Sequence, residues 1–185
     1  MKTPPEPVDT RTQRGGRLRR KRLSLLATTL LAANLVSLIG IAVTAKDYND
    51  AQCASNVQVF QRVVSPSAVG DFRLAAYFDL VFALSYGLLA LIAFSWFVKH
   101  TGRRNGAGQV GCLGVFVAAL FDEVENLTLL RNLSNRNSVS ESAIDAMTRI
   151  GLAKWICVIP SLLLVLAGLV PVLTDRRRER ARRSS

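Results

Sequence analysis

The sequence predicts an all-α fold, a four-helix transmembrane bundle with both termini in the cytoplasm. Three observations predict it. Four long segments of the 185-residue chain are almost free of charge, although the formal net charge is +11. Lys and Arg are sorted to the ends and to one short internal loop. An even number of spans then returns both basic ends to the same side of the membrane.

A helix that crosses the hydrocarbon core needs about 20 mostly apolar residues. The segment 23–45 contains no charged residue. The segment 74–98 contains Asp79, and 150–173 contains Lys154. The segment 110–130 carries Asp122, Glu123 and Glu125 in its second half, after a first half that is apolar or small. These stretches are apolar all round, whereas a soluble amphipathic helix would show one apolar face. Residues 17–22 are basic and could introduce a cleaved signal peptide, with 43–45 as its cleavage site. The apolar run is well beyond a signal core of roughly 7–15 residues, so an uncleaved anchor is expected.

Charge orients the bundle. Residues 1–22 hold eight Lys or Arg, the loop 99–109 three, and the end of the chain six, which makes seventeen on one side. The other side holds Lys46, Arg62, Arg73, Arg131, Arg136 and Arg149. The seventeen are expected on the inner face of the plasma (inner) membrane, where they meet anionic inner-leaflet lipids. The domain organisation that follows is a disordered basic cytoplasmic tail over 1–22, a four-span membrane domain over 23–173, and an Arg-rich cytoplasmic tail over 174–185. The tails lack a nucleic-acid-binding motif and interleaved aromatics, so no nucleic-acid partner is expected. A homo-oligomer or another membrane protein is a possible partner.

The loops carry local signals. Val57, Phe60 and Val64 recur at spacings of three and four, which predicts a short amphipathic helix over 51–64 on the outer surface. Ser65-Pro66-Ser67 should end it. Ser138 with Glu141 has capping-box spacing, so the fourth span is expected to begin with a helical extension. Tyr48, Tyr77, Trp96 and Trp155 stand near predicted membrane boundaries, where aromatic residues collect. Cys112 and Cys157 fall in opposite leaflets on this topology, and Cys53 lies outside.

The intramembrane polar residues are the informative feature. Each ionisable group in a span is costly unless partnered, and this chain keeps Asp79, Asp122, Glu123, Glu125 and Lys154. With ~1.5 Å of rise per residue, Asp79 lies about 10 Å to the outer side of its span's midpoint, Asp122 about 3 Å and Glu125 about 7 Å. Lys154 falls near the outer end of the fourth span. The five groups therefore share one level. On the third span Asp122, Glu125 and Asn126 occupy one arc, while Glu123 points about 100° away. Gly114, Ala118, Asp122 and Asn126 form a stripe at i, i+4 that lets helices pack closely. Asp79 and Tyr86 share a face of the second span, Lys154 and Ser161 a face of the fourth, and Asn34 is a candidate fourth wall. Four acids against one base would leave a net charge of −3 in low dielectric. A proton is then expected on one acid, with Asp122 or Glu125 first in line.

The run Phe121-Asp122-Glu123-Val124-Glu125-Asn126, with Asp79 and Tyr86 on the preceding span, resembles a pattern in uncharacterised small bacterial four-span integral membrane proteins. The resemblance covers the second and third spans and implies the same hairpin architecture. It carries no activity across.

The chain has no phosphate-cradling Gly loop, no GxSxG elbow and no HExxH. His100, the one histidine, lies across the membrane from the acids. No metal site and no cofactor are expected. The functional expectation is a binding or accessory protein whose acidic pocket in the outer half of the membrane holds a proton or a cationic ligand. The candidate residues are Asp79, Tyr86, Asp122, Glu125, Asn126 and Lys154. Two other classes remain open. One is an intramembrane enzyme acting on a lipid, with Asp122 or Glu125 as acid or base. The other is a structural subunit whose polar residues only fix helix packing.

Overall fold

The computed structural model describes residues 10–44, 47–101 and 106–184, with side chains omitted for 10–22, 100–101, 173 and 175–184. The expected disorder of residues 1–9 lies outside the described residues. Helix α1 spans Thr10–Thr44, α2 Tyr48–Gln52, α3 Val57–Val63, α4 Val69–Thr101, α5 Gly106–Ser134 and α6 Glu141–Ser184. Short 3₁₀ turns at Pro66–Ala68 and Arg136–Ser138 lead towards α4 and α6. Four of the helices are long and apolar enough to cross a membrane, over Leu23–Thr44, Pro66–Lys99, Gly106–Ser134 and Glu141–Val172. Their outward side chains, such as Leu35, Leu84, Leu120, Ile156 and Leu163, are exposed. Such a surface suits acyl chains.

The helices pack in chain order: α1 against α4, α4 against α5, and α5 against α6. Small residues bring them close. A Cβ on Gly87 would stand 2.9 Å from the Ala119 Cβ, and one on Gly40 would meet the Phe78 ring at 2.6 Å. A Cβ on Gly114 would collide with the Ser161 hydroxyl. The expected stripe is realised, with Ala118, Asp122 and Asn126 all buried. Backbone over 10–22 and 174–184 continues α1 and α6 as helix. Arg and Lys are good helix formers, and a helix already nucleated extends at little cost.

The connection between α1 and α4 differs from the single surface helix predicted over 51–64. It forms two helices because Asn56 starts a new one, its Oδ1 accepting from the Val59 amide at 2.8 Å. Asn is among the strongest N-caps. Both helices fold over one end of the bundle. Tyr48, Phe60 and Val64 are buried there with Phe72 of α4, Leu129 and Leu133 of α5, and Ile144 and Met147 of α6. This is the apolar core of the molecule. Arg136 fastens it from the α5–α6 turn, donating to the Val64 carbonyl at 2.5 Å and the Gln61 carbonyl at 2.6 Å. A guanidinium on the last carbonyls of α3 satisfies acceptors that the helix itself leaves open.

The cap of α6 also differs from expectation. Ser140, not Ser138, accepts from the Ala143 amide at 3.2 Å. Ser138 is used by the preceding turn, its hydroxyl donating to the Asn135 carbonyl. Glu141 accepts from the Val57 amide at 3.2 Å, so it closes the start of α3 rather than a capping box.

Candidate functional site

Beneath the apolar cap, α4, α5 and α6 bring their polar residues together. On α5, Asp122, Glu125 and Asn126 stand at i, i+3 and i+4 and therefore share a face. They are 4%, 3% and 0% exposed. Lys154 of α6 reaches across to both acids, with Nζ 2.8 Å from Asp122 Oδ1 and 2.6 Å from Glu125 Oε2. From α4, the Tyr86 hydroxyl donates to Asp122 Oδ2 at 3.1 Å. Asp79, also on α4, is buried and accepts from Gln52 Nε2 at 3.3 Å. All six residues singled out from the sequence thus belong to one buried region. Glu123 is only half-buried and joins none of these bonds. Asn34 does not supply a fourth wall, since its Nδ2 donates to the Leu30 carbonyl of its own helix at 2.9 Å.

Three contributors escaped sequence reasoning. Tyr48 is buried, and its hydroxyl donates to Asn126 Oδ1 at 2.9 Å. Gln52, one turn later on α2, donates to the same oxygen at 3.0 Å. The boundary rule for aromatics sends Tyr48 towards the head groups, whereas α2 turns it inward and stacks it on Phe72 at 6.4 Å between centroids. The i, i+4 spacing of Tyr48 and Gln52 puts them on one face of a helix but does not say where that face points. Gly151 is the third, because a Cβ there would meet Glu125 Oε1 at 2.9 Å. Its missing side chain makes room for the carboxylate beside Lys154.

Two chemical properties follow. The ion-paired centre, Lys154 with Asp122 and Glu125, is held on both sides. Asp79 is different: its carboxyl accepts from the neutral Gln52 amide, and Lys154 lies on the other two acids. Asn126 Nδ2, fully buried, has no acceptor among the described residues. Among those residues no group of His, Cys, Asp or Glu converges closely enough to hold a metal ion.

Tyr48, outside the spans, carries a pH signature. Burial, reinforced by the Asp79 and Asp122 carboxylates, pushes its phenol well above the ordinary value of 10.0. A raised folded-state value means that stability is intact below about pH 10 and declines above it, by about 1.4 kcal/mol per pH unit. Tyr48→Phe is therefore expected to lower stability by about 1 kcal/mol at neutral pH through the lost hydrogen bond. It should also flatten the alkaline limb, as read from melting temperatures between pH 8 and 11.

The chain matches no protein-family model, no curated protein and no solved structure. The candidate site therefore rests on the residues and geometry described above.

Proposed function

We propose that this chain is a multi-pass plasma-membrane protein of binding or accessory type, and that its buried acidic cluster takes up a proton or a small cation. One observation carries the reading: three carboxylates, Asp79, Asp122 and Glu125, are buried together, and among the described residues Lys154 is the cation at the cluster, paired with Asp122 and Glu125. Uncompensated charge in a low-dielectric interior is too costly to persist, so the imbalance calls for a positive species. The ion pairs favour Asp79 as its holder over Asp122 and Glu125, to which Lys154 is already bound. The absence of a convergent ligand set among the described residues favours a proton or a singly charged cation over a multiply coordinated metal. The orientation proposed with it places both ends of the chain in the cytoplasm and the cluster in the outer half of the membrane.

A second reading, packing alone, is supported by the bonds of Lys154 to Asp122 and Glu125, of Tyr48 and Gln52 to Asn126, and of Gln52 to Asp79, which tie α2, α4, α5 and α6 together. Neutral isosteres separate the two. Under the uptake reading, Asp79→Asn leaves the melting temperature equal to or above that of the parent, and the folded chain no longer takes up the extra proton or cation. Equilibrium titration of the purified chain against its unfolded form measures this. If the folded parent takes up no extra proton or cation and Asp79→Asn only lowers stability, packing alone is the better account.

A further inference from the structure

We propose a second site, independent of the acidic cluster: the cleft between the end of α5 and the start of α6 binds a phosphate group. The cleft has a volume of about 570 Å³ and is lined by hydroxyls and amides, with Arg131 the charged residue among its described walls. Arg131 is exposed, and its guanidinium has no ion pair among the described residues. Asn132 lines the same cleft, is 5% exposed, and its Nδ2 has no acceptor among the described residues.

The helix end adds to this. The 44-residue α6 begins at the cleft, and the N-terminus of a helix favours negative charge. Ser140 occupies the Ala143 amide, while Ser140 and Ser142 set their hydroxyls 2.9 Å apart at the cleft wall. The neighbouring acids face elsewhere: Glu141 accepts from the Val57 amide, and Asp145 is paired with Arg149 at 2.8 Å. A guanidinium fork, an amide and hydroxyls around one concavity match an anion with several acceptor oxygens, and a phosphate ester supplies them. The cleft exceeds a bare phosphate, leaving room for the group esterified to it. It also stands where the exposed apolar face of α5, which includes Leu127, gives way to Arg131 and Asn135. On the proposed orientation this lies towards the outer end of the span. The phosphate can come from a phospholipid or from solution, and the test separates the two.

The full chain, purified in an uncharged maltoside detergent, is melted against phosphatidylglycerol and, separately, against inorganic phosphate. Diacylglycerol and sodium chloride at equal ionic strength are the controls. At least one of the two ligands should raise the melting temperature above its control. Arg131→Gln should raise the concentration needed by about tenfold or more, and Arg62→Gln, on α3 and outside the cleft, should leave it unchanged. A response to phosphatidylglycerol alone identifies a lipid site, whereas a response to inorganic phosphate identifies a site for the free anion. The proposal is overturned if neither ligand exceeds its control, or if Arg131→Gln responds as the parent does.

Discussion

Lys154→Met is expected to destabilise the chain by roughly 3–5 kcal/mol, the largest effect of any single change in the cluster. Removing the ammonium leaves Asp122 and Glu125 buried at 4% and 3% exposure with no cation between them. The loss comes mainly from stranded charge rather than from missing attraction, and this has two consequences. Lowering the pH should recover much of the stability of Lys154→Met, because protonating the acids removes the stranded charge. Adding Asp122→Asn and Glu125→Gln should recover it at neutral pH, because neutral groups of the same shape are far cheaper to bury. Thermal melting in detergent across pH measures all three variants. Equal melting of Lys154→Met and the parent at pH 7 would show that the acids are not held by this lysine.

Gly111→Val is expected to cost roughly 1–3 kcal/mol or more. A Cβ on Gly111 would stand 2.6 Å from the Ser161 carbonyl oxygen and 2.7 Å from the Val165 nitrogen. Both are backbone atoms of α6, so no side-chain rotation relieves the clash and the two helices must separate. Gly111 lies eleven residues before Asp122, about 16 Å along α5. Separation at that point would loosen the contact of Lys154 with Asp122 and Glu125. Gly70→Ala is the informative contrast. Nothing lies within 4 Å of a Cβ there, and the change should add up to about 1 kcal/mol by reducing backbone freedom. The difference between these two glycines, read from melting temperatures, tests whether α5–α6 closeness is what assembles the site.

The features that proved legible in the sequence are those set by chain-local physics. Four spans follow from length and apolarity. The meeting of Asp122, Glu125 and Lys154 follows from helical rise and rotation combined with antiparallel order. What escaped depends on where loops fold back. Nothing in the spacing of Tyr48 and Gln52 says that α2 turns over the bundle and inserts them above Asn126. The choice of Ser140 over Ser138 as cap depends on a 3₁₀ turn that occupies Ser138 first. Asn34 was misplaced for a similar reason. An amide within a span can satisfy itself on the carbonyl four residues earlier, and α1 contacts α4 rather than closing around α5. The lysine's preference for Asp122 and Glu125 also redirects attention to Asp79, a distinction that residue depth alone does not make.

The central claim is that the cluster requires a positive species beyond Lys154. Infrared spectroscopy of the folded chain tests it most directly, in a buffer whose only cations are too large to enter a packed interior. With small cations absent, a protonated-carboxyl carbonyl band is predicted between pH 6 and pH 8. That band should disappear in Asp79→Asn and persist in Glu123→Gln. A spectrum showing every carboxyl group ionised at pH 6 would contradict the account.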